Sequence, residues 1–144
     1  MKSIQSTLAA ALLTASAGAF AASPPDYLFV NKSSEKLMDD ATAKSLFAEI
    51  VSAKLAKLYP TRNWGFASQV EGGVTPANTC VVVARVMLLQ RNQPVATKLL
   101  LFKPGKMATA YDALPNATAA QCKDLARAKL REANQAILAA LVPS

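Results

Sequence analysis

The stretch TCVVVARVMLLQ, residues 79–90, constrains the fold of this chain more than any other. Three consecutive β-branched valines disfavour a helix and suit a pleated strand. Side chains alternate along a strand, so Cys80, Val82, Ala84, Val86 and Leu88 share one face. Val81, Val83, Met87 and Leu89 share the other, interrupted by Arg85. A strand apolar on both faces is a central one, covered on both sides or covered once and met by a partner on the other. The chain therefore has to build a sheet around this segment, and Cys80 stands at its head.

The role of Cys80 follows from what accompanies it. The chain has two cysteines, Cys80 and Cys122, and no histidine. That removes the Cys–His nucleophile pair and the mixed Cys/His zinc site. Two thiolates alone do not close a tetrahedral metal site, and their spacing is far from a Cys-x-x-Cys redox motif. The N-terminus, MKSIQSTLAAALLTASAGAFAAS, has one cation, a weakly apolar uncharged stretch and an Ala19-Phe20-Ala21 cleavage pattern. It is too alanine-rich and interrupted for a spanning helix, which wants about 20 strongly apolar residues. Residues 1–21 are thus expected to be a signal peptide cleaved after Ala21, and the mature protein to be periplasmic. In an exported chain an even pair of cysteines defaults to a disulfide. Residues 80–122 would then close a ring of 43 residues, which chain entropy makes worth roughly 4 kcal/mol.

Removing 21 of 144 residues leaves 123, enough for one domain with one core. Residues 22–41 read as a leader and loop, with Tyr27-Leu28-Phe29-Val30 apolar enough to pack as a short strand or over the core. Residues 42–144 read as the domain. Asp39 and Asp40 suit a helix start. The helix that follows carries Phe47, Ile50, Val51, Leu55 and Leu58 on one stripe, and Pro60 stops it. Trp64, Phe66, Ser68 and Val70 alternate as a strand, and Glu71-Gly72-Gly73 reads as its turn. Residues 79–90 and 95–103 (VATKLLLFK) form a hairpin about Arg91-Asn92-Gln93-Pro94, and residues 107–111 add a short edge strand or a return. Asn116-Ala117-Thr118 offers caps for a last helix over residues 119–141, which buries Cys122, Ala126, Leu130, Ala133, Ile137 and Leu141. The predicted class is α+β in the order α-β-β-β-α. It is a three-stranded antiparallel sheet, four-stranded with the edge strand, with helices on one face and one disulfide.

Chemistry has little to work with. Lacking histidine, the chain has neither the usual acid–base group nor a triad. Ser33-x-x-Lys36 has the spacing of an acylating serine and lysine, but its Ser-Asp-Asn and Lys-Thr-Gly companions are missing. Lys103-Pro104-Gly105-Lys106 lacks the glycine spacing of a phosphate loop. No catalytic, cofactor-binding or metal residue is assigned. The net charge of +7 becomes +6 once Lys2 leaves, which favours a partner with an acidic face. The cations are spread along the chain rather than clustered, and nucleic acid is not expected outside the cytoplasm. Lys123, Arg127 and Arg131 recur every four residues on the last helix, either as a solvated face softened by Asp124 and Glu132 or as a docking stripe.

Asn78-Thr79-Cys80-Val81-Val82-Val83, the apolar hairpin after it, and Ala120-Gln121-Cys122 opening an alanine-rich helix resemble the TolA C-terminal domain family, related in fold to the TonB C-terminal domain. Leu55-x-x-Leu58-Tyr59 followed by Trp64 is similar to the helix-to-strand approach of these domains, and the resemblance spans about residues 42–141. It implies a helix, a three-stranded antiparallel sheet and a closing helix, with Cys80 paired to Cys122. It also implies protein binding, often by strand addition to a sheet edge. The expected function is a non-enzymatic periplasmic adaptor that touches its partner through the edge near Tyr111, the leader at Tyr27 or the Lys123/Arg127/Arg131 stripe. The alternative is an immunity or inhibitor protein that neutralises a secreted toxin such as a cell-wall hydrolase.

Overall fold

The structure is a computed structural model and describes residues 25–91 and 104–143. The expected signal peptide and the strand predicted over residues 95–103 lie outside the described residues. The elements run β1 (Phe29–Asn31), α1 (Asp40–Ala48), α2 (Ala53–Leu58), β2 (Trp64–Val74), β3 (Cys80–Gln90), β4 (Pro104–Leu114) and α3 (Ala119–Leu141). They make an α+β fold around one four-stranded sheet in the order β1-β2-β3-β4.

β3 is central, as its two apolar faces require. It pairs antiparallel with β2 along its whole length (Val74 opposite Cys80, Trp64 opposite Gln90) and with β4 on its other side (Cys80 opposite Leu114, Leu88 opposite Lys106). Both edges of β3 are thereby taken, its second partner being Pro104–Leu114. β1 adds to β2 in parallel, Phe29 opposite Phe66, so the sheet is mixed rather than purely antiparallel. The predicted turn at Glu71-Gly72-Gly73 is also displaced. β2 continues through both glycines to Val74, and the reversal falls at residues 75–78, where Asn78 holds φ 55° and donates its N–H to Thr75 O.

The helices cover one face. Phe66, Val70, Cys80, Val82, Ala84, Val86 and Leu88 from the sheet meet Cys122, Ala126, Leu130, Ala133, Ile137 and Leu141 from α3, all buried. Alanines at Ala84, Ala110, Ala126 and Ala133 let α3 sit close over the sheet. Tyr27, Phe29, Phe47 and Phe66 form an aromatic cluster under α1, and Leu37 and Met38 join the same core. α3 starts where its caps predict. Thr118 Oγ1 accepts from Gln121 N while Gln121 Oε1 accepts from Thr118 N, a reciprocal capping box.

The single helix predicted before Pro60 is two helices, and the break has an identifiable cause. A continuous helix would send the Ile50 N–H to Leu46 O. That carbonyl instead accepts from Asn134 Nδ2 of α3 at 3.0 Å, and Ile50 N turns to Phe47 O. Ser52 is extended and caps α2, its Oγ accepting from Leu55 N. The shift in phase leaves Leu58, assigned to the buried stripe by periodicity, 45% exposed. Asn134 is fully buried and its amide oxygen has no protein partner among the described residues. Asn134→Ala should strand the Leu46 carbonyl and lower unfolding stability by about 1–3 kcal/mol, measured by urea denaturation.

Candidate functional site

The disulfide is present. Cys80 and Cys122 are bonded with their Cα atoms 5.5 Å apart, and both are buried. It ties the head of β3 to the first turn of α3, so the thiols are structural and no free cysteine remains.

Among the described residues the Ser33 side chain is engaged by the backbone and no hydrogen bond to Lys36 is seen. The Ser33 Oγ accepts from Val70 N at 2.8 Å and its N–H donates to Asn31 Oδ1, which fastens the loop after β1 to β2. Lys36 instead lines a cleft of about 340 Å³ with Ser34, Leu37, Gly72, Gly73, Val74, Ala119, Cys122 and Lys123. No cluster of three or more metal-ligating side chains occurs among the described residues, and no described helix is long and apolar enough to cross a membrane.

The cationic stripe on α3 is largely neutralised. Arg131 forks onto Glu49, Nε to Oε2 at 2.8 Å and Nη2 to Oε1 at 2.9 Å, joining α3 to the end of α1. Arg127 pairs with Asp124 at 3.2 Å, and Lys129 lies between Glu132 (2.8 Å) and Asp112 of β4 (3.2 Å). These i,i+3 partners are the ones the charge spacing implies. Of the stripe, Lys123 alone makes no ion pair among the described residues and faces the cleft beside Lys36. Tyr27 is half-buried against Phe47, with ring centroids 5.5 Å apart.

Three carboxyls are held below the usual carboxylate range: Asp39 by the Thr42 backbone N–H, Glu49 by the Arg131 guanidinium, and Asp112 by the Ala113 backbone N–H and then Lys129. Groups depressed in the folded state add stability above their ordinary range and lose it as pH falls through the lowered values. With no histidine to titrate near neutrality, the thermal midpoint should be level from about pH 6 to pH 8 and fall only below about pH 4. A scanning calorimetry series across that range checks it.

Exposure concentrates at β4. Met107, Thr109, Tyr111 and Ala113 point to the face away from the helices, opposite Met87, Arg85, Val83 and Val81 of β3. Met107 is 56% exposed and Tyr111 76%, with Val81 beside them at 41%. Arg85 reaches Glu71 at 3.8 Å, so the polar interruption of this face is an ion pair rather than a lone charge. Among the described residues no strand lies beyond β4, which is therefore an edge strand of the described sheet, the position whose outer backbone groups can pair with another chain. The sequence allows a short edge strand or a return over residues 107–111, and the observed element is a strand eleven residues long.

Fold and surface together define a disulfide-pinned α+β domain that displays one long edge strand with exposed apolar side chains. Set beside known proteins, the chain matches no family model, no curated protein and no solved structure.

Proposed function

We propose that this is an exported, periplasmic protein-binding domain of the TolA/TonB C-terminal kind, which does no chemistry and docks its partner along β4. The observation that carries the reading is the exposed β4 edge with Met107 and Tyr111 projecting beside it. Strand addition uses such an edge, the backbone supplying affinity and alternate side chains supplying selectivity. The N-terminal signal pattern, the missing histidine and the commitment of Ser33 to the Val70 backbone support export and the absence of catalysis. With Arg127 and Arg131 engaged by carboxylates of the same chain, the apolar strand is favoured over the α3 stripe as the contact surface.

An envelope partner captured by the tagged mature protein should fall about tenfold in yield with Tyr111→Lys, and hold with Lys123→Ala, scored by quantitative mass spectrometry of the pull-down. Equal recovery with Tyr111→Lys would remove β4 from the interface. An inhibitor of a secreted hydrolase would use the same projecting tyrosine. It separates from the adaptor by abolishing cell-wall hydrolysis when the purified protein is titrated into the enzyme.

A further inference from the structure

The sequence of β4 is complementary to itself. Reversed about Thr109, PGKMATAYDAL places Lys106 opposite Asp112, Met107 opposite Tyr111 and Ala108 opposite Ala110, with Thr109 opposite its own copy. We propose that β4 pairs antiparallel with β4 of a second copy of this chain in that register, about a two-fold axis at Thr109, and joins two four-stranded sheets into one. The inference rests on β4 being a protein-docking strand, and it names the first occupant of that strand.

Each pairing has a physical reason. Met107 and Tyr111 lie on the open face and are the two most exposed large apolar side chains among the described residues. Directly opposite residues in an antiparallel pair bring their Cβ atoms to about 4.5–5.5 Å. That spacing sets a methionine sulfur against a tyrosine ring, and it does so twice across the axis. On the helix-covered face Lys106 is exposed and has no ion pair among the described residues. The Asp112 carboxylate takes Lys129 at Oδ2 and the Ala113 N–H at Oδ1, yet remains 51% exposed, with lone pairs left for a second ammonium. Small residues at Ala108 and Ala110 keep the covered face clear. The edge also lacks the usual protection, having no proline after Pro104 and a single lysine near its start. A two-fold axis perpendicular to the sheet sets both α3 helices on the same side, so the open faces of the two copies run together. A C2 contact of this sort is self-limiting, since each copy has one such edge.

Cysteine scanning reads the register directly, because the native thiols are joined to each other and no free cysteine competes. Opposed Cα atoms across an antiparallel pair are about 4.5–5.5 Å apart, within the span of a disulfide. Purified mature Thr109→Cys should form a covalent dimer under mild oxidation on a non-reducing gel. Met107→Cys and Tyr111→Cys should each stay monomeric, since like positions are then about 13 Å apart along the strand, yet cross-link when mixed. Lys106→Glu and Asp112→Lys should each weaken self-association about tenfold by sedimentation, and their equimolar mixture should restore it. Thermal unfolding of each variant checks that the domain stays folded. If the unmodified protein sediments as a monomer at about 100 μM and Thr109→Cys does not cross-link, the pairing is overturned. Met107→Cys cross-linking as readily as Thr109→Cys overturns the register. A monomer that still loses its envelope partner through Tyr111→Lys leaves the docking reading standing without the dimer, whereas a monomer indifferent to Tyr111 sinks both.

Discussion

The double variant Cys80→Ala/Cys122→Ala should lose about 2–5 kcal/mol of unfolding stability, out of the roughly 5–15 kcal/mol usual for a domain. The bond links residues 42 apart in sequence, and a ring of that size restrains the unfolded chain by about 4 kcal/mol in the chain-entropy account. It also pins the head of the central strand to the start of the long helix, where Leu114 opposite Cys80 and the Ala117 N–H on Asn78 O already bring the two elements together. Both cysteines are buried, at 0% and 1% exposure, which shields the bond from reductant in the native fold. Reduction of the folded protein should therefore track its opening rate, slow in buffer and fast in urea, and be followed by thiol labelling. Immediate reduction without denaturant would show that the β3–α3 junction opens locally. Loss of less than about 1 kcal/mol in the double variant would mean that the core alone holds the two elements together.

Which parts of this fold were legible in the sequence depends on how local their causes are. The centrality of β3 is written in its own valines, and α3 in its own caps and apolar spacing, so both were readable to within a residue. The disulfide was readable from counting, because two cysteines and a signal pattern leave few alternatives. The helix break at residues 49–52 was not, because its cause is Asn134, 88 residues from Leu46. The segment's own periodicity favours one continuous helix, and only the fold supplies the competing hydrogen bond. Locally β4 reads as a short strand or a return because apolar content is the guide, and the middle of its helix-covered face is only Ala108 and Ala110. They are small because α3 lies against them, which no local pattern reveals. Of the candidate site, a strand reaching Tyr111 was one of two local readings, whereas its place at the edge of the described sheet comes only from the pairing of β3 with β4. The neutralisation of Arg131 by Glu49, which lies 82 residues away, was not legible.

Gly72 shows the same limit and sets the second large prediction. Read locally, Glu71-Gly72-Gly73 is a turn. In the fold it is strand, opposite Val83, Val82 and Val81 of β3, with φ of 120° at Gly72 and 147° at Gly73. Both angles belong to backbone that only glycine adopts without strain. A Cβ on Gly72 would stand 1.9 Å from the Val81 carbonyl oxygen and 2.9 Å from its carbon, and both are backbone atoms of the central strand that cannot rotate away. A Cβ on Gly73 meets nothing within 4 Å. The two neighbours therefore separate strain from collision. Gly73→Ala should cost about 1–3 kcal/mol, the range for one strained backbone position. Gly72→Ala carries the same strain and must also push β2 and β3 apart beside fully buried Val82, so a loss above about 4 kcal/mol is expected, in the exceptional tail for a single substitution. Urea unfolding of the pair checks the ordering. Equal losses at the two sites would mean that Gly72 does not approach Val81 as closely as described, and the register between β2 and β3 would then need redrawing at this end of the sheet.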